Sequence, residues 1–191
     1  MTPDEATNQV IDALERLKIP YMLVGSFSTM IYGLSRSTKD ADIVLQLEGM
    51  SIRKITAELP SEFVLDPQIK FESATGTTRY VVEVPSIPFT IEFFRLSADP
   101  HDNERFRRRS AVSSEQLGRT VVVPTLEDVV LTKLRWSVAT ERPKDVEDIT
   151  NVIAVQGDDA FDWDYIHHWC AQHGTRERLD EIRASIPPID D

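Results

Sequence analysis

Residues 21–45 read YMLVGSFSTMIYGLSRSTKDADIVL, and this stretch decides the fold. Tyr21–Val24 is a short apolar run closed by Gly25, the pattern of a buried strand. Ser26 then opens a helical segment through about Tyr32, which Gly33 ends. From Asp40 to Leu47 acidic and apolar side chains alternate before an apolar finish, the period of a strand with one buried face. A strand, a glycine-serine turn, a helix and a second strand follow one another within 27 residues.

Outward from this core, Val10, Ile11, Leu14 and Leu17 fall at helical spacing over residues 4–18. Asp and Glu come early in that segment, as the helix dipole favours, and Pro20 stops it. Residues 50–59 read as a helix closed by Pro60. Short β-rich runs follow at Phe63–Leu65, Lys70–Glu72, Arg79–Val84, Phe89–Leu96 and Thr120–Val123. Pro85 and Pro88 separate two of these runs, which predicts antiparallel neighbours across a turn. Beyond Pro124 the pattern turns helical. Thr125 caps a helix to about Ala139 with Asp128 at its third position. Pro143 sits in the first turn of the next helix, which runs to about Val155. Trp163–His173 and Arg176–Ser185 form a last pair. The fold class expected is α+β, a mixed sheet with flanking helices over residues 1–124 followed by a C-terminal helical region over 125–191 packed on it.

The chain has 191 residues, 41% hydrophobic and 28% charged, the balance of a folded globular protein. No apolar run has the length of a membrane span, and the polar, acidic N-terminus does not read as a signal peptide. The single cysteine, Cys170, points to a reducing cytoplasmic setting and reads as a half-buried helix residue rather than a nucleophile. A net charge of −11 argues against a broad basic surface for duplex nucleic acid. It does not argue against a nucleotide, which metal ions and a few placed cations can hold.

Asp40 and Asp42 are the strongest candidates for chemistry. Acids two apart are no more frequent here than 32 acids in 191 positions predict, so spacing alone says nothing. Context does. On a strand the two side chains point to one face about 7 Å apart, an unfavourable arrangement unless a cation joins them. Hard oxygen ligands suit Mg²⁺, which takes one or two carboxylates together with substrate phosphates. The pair also follows Gly25-Ser26, where free N–H groups at a helix N-terminus cradle phosphate and the glycine permits close approach.

LVGS, thirteen intervening residues (Phe27–Lys39) and DADIVL resemble the signature of the nucleotidyltransferase fold superfamily. That signature is an apolar strand, Gly-Gly or Gly-Ser, a gap, and Asp-x-Asp or Asp-x-Glu in a strand. GLSRSTKDADIVL is most similar to the branch holding the AbiEii-type and MenA-type toxins of bacterial toxin–antitoxin systems. TIEFFRL resembles the strand with the family's third metal carboxylate, here Glu92 where Asp is commoner. PTLEDVVLTKLRWSVATERPKDVEDI resembles the following helical segment, with Lys133, Arg142, Lys144, Asp145 and Asp148 in matching places. The resemblance implies a catalytic domain over 1–124 that transfers a nucleoside monophosphate from a nucleoside triphosphate. Asp40, Asp42 and Glu92 would hold Mg²⁺ or Mn²⁺, and Glu92 would help deprotonate the acceptor. Gly25 and Ser26 would bind phosphate, with Arg36, Lys133 and Asp145 also at the nucleotide. The acceptor implied is tRNA or other RNA, a protein or a small molecule, and an antitoxin is an implied partner. The alternative is a non-catalytic nucleotide-binding or partner-binding module on the same fold.

Each residue also has a plainer reading. Gly25-Ser26 is also what a tight turn with a serine cap looks like. Glu92 has only apolar or threonine neighbours in its strand, so a buried face would demand a partner. Lys133 reads equally as a solvated helix residue, and Asp145 and Asp148 as salt-bridge partners of Lys144 or Arg142. Arg105, Arg107, Arg108 and Arg109 read as a solvated helix face before a polynucleotide patch. His167, His168 and His173 read as packing rather than a metal site, and Trp136, Trp163 and Trp169 as core.

Overall fold

The structure, a computed structural model, describes residues 1–72 and 76–186. The chain folds into two compact units, one built from Met1–Phe27 and Ser37–Val123 and the other from Ser28–Arg36 and the chain from Pro124 onward.

In the first unit, helix α1 (Pro3–Arg16) starts on a complete capping box. The Glu5 N–H donates to Thr2 Oγ1 at 3.2 Å and the Thr2 N–H to Glu5 Oε2 at 2.7 Å, with Pro3 in the first turn. Its buried stripe includes Ala6, Val10, Ile11 and Leu14. A six-stranded mixed sheet follows, with β1 (Tyr21–Val24) antiparallel to β2 (Asp40–Leu45) and β2 parallel to β6 (Phe89–Arg95). Strand β6 is antiparallel to β5 (Thr77–Val84), as the two prolines between them predict. The short strands β3 (Val64–Leu65) and β4 (Lys70–Glu72) both pair with β5. Helix α3 (Ile52–Thr56) is shorter than its sequence pattern implies.

Period-two alternation sorts the central strands. Leu23, Ala41, Ile43, Ile91 and Phe93 are all fully buried on one face. On the other, Met22, Val24 and Val44 pack with Phe106 of helix α4 (Pro100–Arg108) and with Phe94. Asp40, Asp42, Thr90 and Glu92 share that second face, next to its apolar part. The fold class is the expected α+β, with two elements whose bounds the sequence pattern did not give. One is α4, capped by Asp99 with Pro100 in its first turn. The other is β7 (Ser110–Ser114), which pairs with β8 (Arg119–Val123) in a separate hairpin.

The second unit is helical. It contains the end of α2 (Gly25–Tyr32), α5 (Leu126–Thr140), α6 (Pro143–Gln156), a 3₁₀ turn at Asp158–Ala160, α7 (Trp163–His173) and α8 (Arg176–Ser185). Thr125 caps α5 by accepting from the Asp128 N–H, as expected. The core joins Val130, Leu131, Leu134, Ile149, Val152, Ile166, Leu179 and Cys170. Cys170 is fully buried rather than half-buried, and burial raises its thiol pKa. Trp163 and Trp169 pack at the margin of this core instead of within it, and Trp136 is likewise only half-buried. Among the described residues no helix is long and apolar enough to cross a membrane.

Candidate active site

The strand β1 ends at Gly25, whose φ of +61° is left-handed and strained for any side chain. Space forbids a side chain as well. A Cβ built there would overlap the Asp42 carboxyl, lying 2.9 Å from its Cγ and 3.1 Å from its Cβ. The turn and the second acid of the Asp-x-Asp pair are therefore in direct contact. Helix α2 starts at this turn, and Ser26, only 5% exposed, lies in its first turn.

Asp40 and Asp42 are half-buried on one face of β2, while Ala41 between them is fully buried on the other. The Thr38 hydroxyl donates to Asp40 Oδ1 at 2.9 Å. Parallel pairing sets Asp42 beside Glu92 and Asp40 beside Thr90. Glu92 thus faces the same way as the aspartates, one strand over, and two like charges stand side by side. A neighbour the sequence analysis did not single out answers that repulsion. Arg79 on β5 opposes Phe94, so it lies diagonal to Glu92, and its Nη1 reaches Glu92 Oε2 at 2.7 Å. The pair is partly shielded, with side chains 30% and 16% exposed. Only knowledge of the β5–β6 register could have found Arg79. Thr38 is different, because a threonine two before an acid in STKDAD is a recognisable hydrogen-bonding neighbour.

Mg²⁺ asks for one or two carboxylates with the remaining positions taken by water and substrate oxygens. Asp40 and Asp42 lie on one face of β2, with Asp42 in contact with the Gly25 turn, and supply two such carboxylates. Among the described residues no three His, Cys, Asp or Glu side chains form a group able to hold an ion by themselves.

The remaining nucleotide-binding candidates lie in the second unit, where they form one ionic network. Lys133 Nζ is 3.0 Å from Asp145 Oδ1 and 2.8 Å from Asp148 Oδ2. Arg36 grips Asp148 with two nitrogens, each at 3.1 Å, and Arg142 Nε reaches Asp145 Oδ2 at 3.1 Å. Both aspartates are almost fully buried and Lys133 is only 12% exposed, so it is not a solvated helix residue. Burial pushes the Asp148 pKa up, but hydrogen bonds from Arg36 and Lys133 outweigh it and hold the pKa below the usual value. Asp145 and Asp148 are salt-bridge partners, as one reading expected, but of Lys133 and Arg36 as well as Arg142.

The arginine run departs from a solvated face. Arg105 is 5% exposed beside the buried Asp102, at 3.0 Å, whereas Arg107 is solvent-facing and pairs with Glu104 at 2.6 Å. Helix α4 turns one side to the sheet, so Arg105 and Arg107 have opposite environments. Trp169 stacks on His173 at 5.5 Å between ring centroids and meets His168 edge-on, consistent with packing.

The family model described as "Nucleotidyltransferase of unknown function (DUF6036)" matches residues 1–184. No curated protein matches the chain. Among solved structures, ANT(2″)-Ia in complex with adenylyl-2″-tobramycin aligns with a TM-score of 0.60 and 14% identity, covering 93% of this chain and 99% of that one. The lincosamide antibiotic adenylyltransferase LnuA, lincomycin-bound, aligns at 0.55 and 15%, covering 81% and 98%. An antigenic nucleotidyltransferase-like protein from Paracoccidioides brasiliensis aligns at 0.51 and 20%, covering 95% and 93%. At such identities the likeness establishes a common fold.

Proposed function

The chain belongs to this nucleotidyltransferase family, and on that premise we propose that it transfers a nucleoside monophosphate from a nucleoside triphosphate to an acceptor hydroxyl with a divalent ion bound at Asp40 and Asp42. The observation that carries this reading is the contact between the Gly25 turn and the Asp42 carboxyl. It supports the reading because the start of α2, where free N–H groups could take phosphate, lies against one acid of the pair. Mg²⁺ or Mn²⁺ held there supplies charge neutralisation on the triphosphate and polarises its phosphoryl oxygens. Ser26 and the N–H groups of the first turn of α2 bind phosphate oxygens. Thr38 holds Asp40 in its rotamer. Glu92 takes the proton of the attacking hydroxyl as its oxygen bonds to the α-phosphorus and pyrophosphate leaves with the broken bond's electrons. The reading assigns Arg36, Lys133 and Asp145 to fixing the second unit, because their charges are already matched within it.

For the acceptor we favour a small-molecule hydroxyl, by analogy with the antibiotics named for two of the similar structures. A toxin acting on RNA, with an antitoxin partner, rests on the resemblance of short stretches alone. One observation favours a second reading, a non-catalytic nucleotide-binding module. Glu92 is already engaged by Arg79. Incubation with each α-labelled triphosphate, Mg²⁺ and either total RNA or a small-molecule filtrate separates these possibilities. Label moving to the filtrate, and lost in Asp40→Asn/Asp42→Asn, is the expected outcome. Label moving only to RNA would replace the acceptor. No transfer with any triphosphate, although the wild-type chain binds it, would establish the module.

A further inference from the structure

We infer that the outer edge of the six-stranded sheet is where a second copy of this chain pairs, antiparallel and centred on Phe71. Strands β3 and β4 both lie across β5 from β6, since Glu83 faces Val64 as well as Thr90, and Arg79 faces Lys70 as well as Phe94. Among the described residues no strand pairs with their other side. Such an edge is a template for another chain, and the side chains along it decide whether it is guarded or offered. Here β4 is offered. Phe71 and Ile69, 72% and 62% exposed, are the two most exposed large apolar side chains among the described residues. The edge is interrupted before them, where the Gln68 N–H donates to Asp66 Oδ1 at 2.9 Å and Pro67 has no N–H to give. That interruption confines pairing to β4 and keeps it from spreading along the whole edge.

The sequence of β4, Lys70-Phe71-Glu72, selects the occupant because it is its own complement. A two-fold axis at Phe71 sets Lys70 of each copy opposite Glu72 of the other, and Phe71 opposite its own equivalent. Residues directly opposite share a face, so both ion pairs stand on one face and the two rings meet on the other, with Cβ atoms about 4.5–5.5 Å apart. Parallel pairing in the same register would instead set like charges together, which disfavours it. Lys70 is 41% exposed and only loosely tied to Asp66, at 3.5 Å, so it can turn to a new partner. Each copy spends its edge on the other, and the assembly stops at two. The pairing works against a net charge of −11 on each copy, a repulsion that salt screens.

Sedimentation velocity of the full-length chain at about 0.15 M salt, from about 1 to 500 µM, tests this. Wild type is expected to pass from monomer to dimer across that range, and Phe71→Asn to stay monomeric. Lys70→Glu and Glu72→Lys each set like charges together at both positions, and should weaken the dimer at least about tenfold. Mixed in equal amounts, these two variants place Glu opposite Lys at both positions and should regain wild-type association. The double variant Lys70→Glu/Glu72→Lys should regain it too. Rescue in the mixture can come only from an interface, since a folding defect in either variant would persist. A wild type that stays monomeric over the whole range would overturn the inference, even if the edge took up a strand of some other protein. So would a dimer that charge reversal leaves unchanged, because its interface would lie elsewhere. A mixture of the two single variants no tighter than either alone would overturn it as well.

Discussion

Gly25 carries two constraints at once. Its φ of +61° costs an alanine on the order of 1 kcal/mol, and the space a Cβ would take is filled by the Asp42 carboxyl. Gly25→Ala should therefore displace Asp42 from the face it shares with Asp40. We expect at least about a hundredfold loss in kcat/KM, because small misplacements of reacting groups are that damaging, with the melting temperature falling only a few degrees. Steady-state kinetics alongside circular dichroism melts would check this. Wild-type turnover in the variant would mean that the contact has no functional weight. The glycine itself was legible in LVGS as a turn, and Asp42 as an acid facing the same way as Asp40. That the two touch was not, because contact between residues 17 apart depends on the pairing of β1 with β2.

At the scale of elements, α5 and α6 are joined by more than their apolar seam. Lys133 from α5 lies between Asp145 and Asp148 of α6, and Arg36 clamps Asp148 from the chain beyond α2. A buried ion of this kind is costly to leave half-paired. Asp148→Asn, which removes the carboxylate that Arg36 grips and one of the two that hold Lys133, should destabilise the protein by about 3 kcal/mol, measured by urea unfolding at neutral pH. The pH dependence has a definite sign. The folded pKa of Asp148 lies below its ordinary 3.8, so its contribution is complete above that value and is lost as pH falls towards the folded pKa. Wild-type stability should thus drop more steeply than that of Asp148→Asn below about pH 4. Parallel curves would mean the network does not hold the helices. Most of these elements were legible, since α5 and α6 announce themselves by a threonine cap and a first-turn proline. The bounds of helix α4 were not, although Asp99-Pro100 is a start signal and the arginine run reads as a helix face. Its buried face includes His101, Asp102 and Arg105, and buried polar residues disguise an amphipathic pattern. Arg79 escaped notice for a related reason, because a diagonal cross-strand partner is invisible until the register is known.

At the scale of the whole molecule, the boundary between the two units falls inside α2, between Phe27 and Ser28. Helical periodicity runs unbroken across that point, so no composition shift marks it. The strongly acidic balance, −11 overall, leaves phosphate binding to local features, and the site offers three: a helix start, a pair of aspartates and the ion they would hold. The account stands or falls on that pair. The most direct measurement is a crystal structure with a non-hydrolysable triphosphate and Mn²⁺, read by anomalous scattering at the manganese edge. The account predicts a peak within bonding distance of oxygens of Asp40 and Asp42, with phosphate oxygens completing its shell beside Gly25 and Ser26. A nucleotide bound with its metal away from both aspartates would contradict it.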